Sequence, residues 1–142
     1  MTEEERWNHL VVLDEELLKG GVILSEWCSL VIREADIAFV KGAHLAAILT
    51  AVAGIETYLR SECQATGKER LVDLINEATI PDRLKKELQK LRRYRNEWVH
   101  VGEPWEDESV LKFPERYEKE IEHMAFIAIR LLRMTIYANP WV

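Results

Sequence analysis

Two side chains suited to a negatively charged ligand lie five positions apart in the segment Arg95-Asn96-Glu97-Trp98-Val99-His100. A guanidinium stays charged and offers a planar fork of donors to carboxylate or phosphate. An imidazole exchanges protons near neutral pH and serves as general base or acid. Asn96 precedes His100 by four residues, so the two share a face wherever the helix continues that far. Arg95 and His100 are about 140° apart around an ideal helix. Just upstream lie Lys85, Lys86, Lys90, Arg92 and Arg93, the strongest local run of positive charge in the chain. Charge stabilisation and proton transfer at a phosphate need these residue types.

Helical phase adds to this. Leu84, Leu88, Leu91 and Trp98 fall on one stripe at about 100° per residue. Arg95 sits inside it, four residues after Leu91 and three before Trp98. A guanidinium facing an apolar stripe needs a partner. Glu56 occupies the matching position on another helix, four residues after Val52 and three before Leu59, in the stripe of Leu45, Leu49, Val52 and Leu59. A buried or half-buried Glu56–Arg95 pair follows as an expectation. In one reading Glu56 holds Arg95 toward an anion such as phosphate. In the other the pair only fixes helix register.

The spacing itself carries little weight. An Arg followed by a His after four to six intervening residues occurs three times, from Arg95 and Arg93 to His100 and from Arg116 to His123. With eleven arginines and four histidines, roughly one match arises by chance.

The elements that position these residues are all helical. Apolar residues recur at helical period over 25–40, 43–63, 68–78, 81–99 and 114–138. Lys41-Gly42 reads as a tight turn, Pro81 as the first turn of a helix, and Gly102 with Pro104 as its stop. The alanines of 43–63 permit close approach of a neighbour. Residues 102–114 read as an acidic loop with Glu103, Glu106, Asp107 and Glu108, a solvated surface rather than a carboxylate-based hydrolase site. Residues 1–24 form an N-terminal extension with no definite structure assigned, save that a helix is able to start at Asp14, with Glu15 and Glu16 at its positive end. The fold class is all-α: an up-down bundle of four main helices plus short extra helices, in one domain over residues 1–142.

The 142 residues are 48% hydrophobic and 31% charged, with a net charge of −6. That composition suits a folded globular chain, and the acidic balance confines nucleic-acid binding to a local basic patch. Cys28 and Cys63 read as small buried hydrophobes in a reducing cytoplasm, with a bridge left open. His9, His44, His100 and His123 show no ligand spacing with cysteines or carboxylates, so no metal and no cofactor is expected. His44 reads as exposed and His123 as a residue of a helix surface or core edge. Trp7, Trp27, Trp105 and Trp141 read as packing residues, with Trp105 or Trp141 also able to cover a dimer seam. No signal or membrane-spanning stretch is visible, which makes a cytoplasmic protein the expectation.

Taken together, the segment from Arg95 to His100, the run Ala47 to Arg60 and the stretch Ile32-Arg33-Glu34-Ala35-Asp36 resemble the HEPN superfamily over about residues 25–138. The polar Asn96, the aromatic Trp98 and the following glycine and proline belong to that resemblance. It implies a helical bundle that dimerises, and a metal-independent endoribonuclease in which two Arg-x4–6-His motifs meet in a composite site. Arg95 and His100 would then be the catalytic pair, with Asn96 and Glu56 supporting them. RNA would be the substrate, with a homodimer as the working form, in phage defence or a toxin-like stress response. An antitoxin or other partner protein is also implied. Some HEPN toxins carry a modifiable tyrosine two residues after the histidine. Gly102 stands there in this chain, which speaks against that kind of toxin–antitoxin pairing. The alternative is a non-catalytic HEPN-like interaction module that binds a partner protein or a nucleotide.

Overall fold

The computed structural model describes residues 1–63, 66–102, 104–105 and 109–140, with side chains left out at 109 and 110. Every regular element among them is a helix: α1 (Glu3–Leu17), α2 (Glu26–Val40), α3 (His44–Glu62), α4 (Leu71–Glu77), α5 (Asp82–Val99), α6 (Ser109–Lys112) and α7 (Pro114–Ile136). The all-α class is therefore as expected. Among the described residues, no helix is long and apolar enough to cross a membrane.

Helix α3 is the centre of the bundle and packs chiefly on α2 and α7. Its inward residues Ala47, Ile48 and Ala51 are fully buried. Gly54 allows the closest approach, since a Cβ there would stand 3.2 Å from Leu132 Cδ1 and 3.6 Å from Val31 Cγ1. The small residues of α3 thus set how near α2 and α7 come. Leu84, Leu88 and Leu91 bury the inner face of α5, each contributing roughly 2 kcal/mol through apolar surface removed from water.

The turn from α2 to α3 depends on Gly42. Its φ of +81° lets Ala43 N–H donate to Ala38 O and Gly42 N–H to Phe39 O, so the last carbonyls of α2 are satisfied. At the other end of α2, Ser25 Oγ accepts from Cys28 N–H at 3.2 Å.

The main departure is α1. It is a full helix docked on the core, not an undefined extension, and it begins at Thr2 rather than Asp14. Thr2 and Glu5 form a reciprocal capping box at 3.1 and 2.8 Å. Asp14 and Glu16 consequently lie at the negative end of the helix, and each is matched by an arginine of α7. Only Leu10 and Leu13 of α1 are buried, so polar contacts do much of the docking. Arg6 Nε donates to Val40 O at 2.7 Å, and Lys41 pairs with Glu3 at 3.3 Å.

Several side chains depart from the sequence reading. Trp7, Trp27 and Trp105 are 50%, 75% and 95% exposed, so none is a packing residue. On α2 Ala35 and Phe39 are buried together with Cys28, while Trp27 is exposed. Trp141 and the acidic residues Glu103, Glu106, Asp107 and Glu108 lie outside the described residues. Both cysteines are free, which closes the bridge left open. Burial pushes the Cys28 thiol up to about 11, with Glu62 adding to it. His123 is exposed on α7.

Candidate functional site

Helix α5 carries the candidate residues along its last two turns. Proline cannot donate, so Pro81 leaves no orphan N–H where it caps the helix, and Asp82 complements the positive end. The helical hydrogen bonds run on to His100 N–H, which donates to Asn96 O at 2.9 Å. His100 itself leaves the helix, with φ −129° and ψ 59°. Its imidazole is therefore carried by the first non-helical residue, and it is exposed.

Arg95 points toward the packed face as its phase predicts. It is half-buried, and its Nε is sealed from water with no hydrogen-bond partner. The expected partner is engaged elsewhere. Glu56 pairs with Arg60 one turn along α3 at 3.2 Å, and both side chains remain about a third exposed. An i,i+4 neighbour is always within reach on the same helix, whereas an inter-helix partner must be delivered by packing. The structure thus brings Arg95, Asn96 and His100 to one end of α5 and does not join Glu56 to them by an ion pair.

An aromatic row flanks Arg95. Tyr94 and Trp98 stand 6.5 Å apart, and Trp98 meets Tyr117 of α7 edge-on at 6.3 Å. Tyr94 is half-buried, and burial raises its pKa while the neighbouring Trp98 partly offsets this. This row ties the end of α5 to the start of α7 and so fixes the base of the candidate residues. Beyond it the surface turns apolar and exposed at Val99, Val101 and Trp105.

The outer face of α5 is a basic ridge. Arg83, Lys86, Lys90 and Arg93 are all exposed and recur every three or four residues, so they share one side of the helix. Lys90 is paired with Glu87, whereas Lys86 and Arg93 have no ion pair among the described residues. Basic residues in such a row match the repeating charge of a nucleic-acid backbone.

A second charged cluster escaped the sequence reading. Arg133 of α7 is 3% exposed. It grips Asp36 of α2 with both terminal nitrogens at 2.8 and 2.9 Å, and its Nε donates to Asp14 of α1 at 2.9 Å. Tyr137 donates its hydroxyl to the same Asp14 oxygen at 2.7 Å. Burial alone would pull the Arg133 pKa down, but the two carboxylates more than offset it and hold it above the ordinary value. The phase test that singled out Arg95 also finds this pair. Arg133 lies four residues after Ile129 and three before Ile136, and Asp36 lies three before Phe39; the three apolar residues are buried. The cluster joins three helices and commits the buried Arg133 to two carboxylates, so its role is to hold α1 and α2 to α7.

Two histidines also sit apart from the candidate site. His9 packs edge-on to Phe126 at 4.8 Å and beside Phe39 at 5.9 Å. Burial lowers its pKa, and the positive charges of Arg133 and Arg130 lower it further. His44 is half-buried rather than exposed, its Nδ1 is unpartnered, and burial lowers its pKa too. Among the described residues no group of His, Cys, Asp and Glu is arranged to hold a metal ion.

Three concavities among the described residues lie elsewhere. One opens between α1, α5 and α7, one lies beside α4, and one lies between α1 and α2; their walls include neither Arg95 nor His100. Compared with family models, curated proteins and solved structures, the chain matches none.

Proposed function

We propose that the chain is a metal-independent endoribonuclease of the HEPN type that acts as a homodimer, in phage defence or a toxin-like stress response. The observation that carries this reading is Arg95. Its guanidinium is half-buried on the packed side of α5 with a sealed, unpartnered Nε, five residues before an exposed imidazole. A buried donor without an acceptor is costly, and a phosphate oxygen is the acceptor that best suits a guanidinium. The basic ridge of α5 supports an RNA backbone as the ligand, and the exposed Val99, Val101 and Trp105 beside His100 support a second copy as the neighbour. The three described concavities exclude Arg95 and His100, and in this reading the cleft is completed by a second copy.

In this reading His100 of one copy takes the proton of a ribose 2′-hydroxyl. The oxygen attacks the adjacent phosphorus, and a 2′,3′-cyclic phosphate forms as the bond to the 5′-oxygen breaks. His100 of the second copy supplies the proton that the leaving oxygen needs. Arg95 stabilises the charge gathered on the phosphorus oxygens, and Asn96 supports the pair. The substrate brings its own nucleophile, so the reading assigns no role to a metal. The exposure of His100 favours this over a non-catalytic module, in which the imidazole would be sealed inside one subunit.

The test is cleavage of mixed RNA in EDTA by wild type, His100→Ala and Arg95→Ala. Wild type is expected to yield cyclic-phosphate ends, and each variant to lose on the order of a hundred-fold or more. If the three proteins cut alike, or none cuts any RNA offered, the reading falls.

A further inference from the structure

The cavity between α1, α5 and α7 lies at the opposite end of α5 from His100 and has a volume of about 780 Å³. That is the size of a small-molecule site rather than of a packing defect. Its walls are aliphatic: Leu17, Leu84, Ile127, Leu131 and Met134. Each of its charged and hydroxyl side chains has a partner, with one exception. The Tyr137 hydroxyl is committed to Asp14 at 2.7 Å. Arg130 is held by Glu16 at 2.9 Å, and Glu87 by Lys90 at 3.3 Å. Arg83 at the rim has no hydrogen-bond or ion-pair partner among the described residues.

These facts determine what fits. The walls are mainly aliphatic, so an apolar ligand body suits them. Arg83 is the charged lining residue without an ion-pair partner, so an anionic head group suits it. Met134 adds a flexible, polarizable wall that adapts to an unbranched chain. We propose that this cavity is a binding site for an amphipathic carboxylate, a medium-length alkyl chain lying along Leu84, Ile127 and Met134 with its head on Arg83. The site does not depend on Arg95 or His100, although it shares Arg83 with the basic ridge of α5.

The experiment is calorimetric titration of the full chain with dodecanoate below its micelle concentration, with dodecanol as the uncharged probe. Wild type is expected to bind dodecanoate saturably at one site. Arg83→Glu is expected to weaken dodecanoate roughly ten-fold while leaving dodecanol within about two-fold, since an exposed ion pair is modest and its reversal doubles the effect. Met134→Trp, which fills the cavity, should weaken both at least about ten-fold. Ala138→Phe, two residues past the end of α7, serves as the filling variant if Met134→Trp lowers helical content. Absence of saturable binding in wild type overturns the site. Filling variants that bind like wild type do so too. A loss confined to the filling variants, with Arg83→Glu neutral, removes the anionic head. If wild type is a dimer that Arg83→Glu dissociates, a second copy occupies the groove and the proposal fails.

Discussion

Replacing Arg133 with methionine tests the account of how α1 is held. The methionine keeps much of the aliphatic volume and removes the charge, so the change isolates the polar cluster from the packing. Arg133 makes three charge-assisted hydrogen bonds and is 3% exposed, with Asp36 19% and Asp14 41% exposed. Breaking a buried pair by removing one partner costs about 3–5 kcal/mol, because the other charge stays buried and uncompensated. Water reaches Asp14 and softens its share, which places the expected loss near 3 kcal/mol. At about 4 °C per kcal/mol for a domain of this size, the melting temperature should fall by roughly 12 °C. Urea unfolding followed by circular dichroism gives the free energy directly. The double variant Arg133→Met, Asp36→Leu should be less destabilised than Arg133→Met alone, since an apolar pair replaces an orphaned carboxylate. A loss below about 1 kcal/mol in Arg133→Met, or strict additivity in the double variant, would refute the reasoning.

Other expectations follow from geometry described above. Gly54→Ala gains about 1 kcal/mol of helix propensity and loses a similar amount against Leu132 at 3.2 Å, so its stability should stay within about 1 kcal/mol of wild type. Gly54→Leu should cost about 3 kcal/mol or more in the same urea titration, because α2 and α7 would be forced away from α3. Ser25→Ala removes the side-chain cap of α2 and should cost about 1 kcal/mol, with Ser25→Asp restoring most of it. The folded state keeps His9 and His44 below their ordinary 6.5, so the unfolded chain binds their protons more readily. Their stabilising effect is present above pH 6.5 and is lost as pH falls below it, and a melting series with and without His9→Phe should show a smaller decline in the variant. If Arg83, Lys86, Lys90 and Arg93 grip a nucleic-acid backbone, Lys86→Ala with Arg93→Ala should lower the slope of log affinity against log salt by about 1–2, and an unchanged slope removes the ridge from the interface.

The helices that bury a continuous stripe were legible in the sequence, and α2, α3, α5 and α7 begin and end within about two residues of where periodicity places them. Helix α1 was not, because only Leu10 and Leu13 of its 15 residues are buried and its docking rests on charges. Its capping box at Thr2 and Glu5 was a readable start signal. Phase correctly turned Arg95 toward the core and then named the wrong partner for it. A stripe shows which way a residue points but not which helix faces it, and Glu56 had Arg60 within one turn. Arg133 shows the same limit from the other side. Phase turns it toward the stripe of Ile129 and Ile136, but its partners lie 97 and 119 positions away and nothing local names them.

The position of α1 in the chain has a consequence for biosynthesis. Its seat is built from Asp36, Val40, Arg130, Arg133 and Tyr137, so α1 is translated long before the last part of its seat exists. At about 5–20 residues per second, the nascent helix waits on the order of ten seconds with Leu10 and Leu13 uncovered. During that interval it is an apolar, weakly held segment available to a chaperone or to a neighbouring nascent chain. Docking of α1 therefore has to await α7, which follows it in the chain by about a hundred residues.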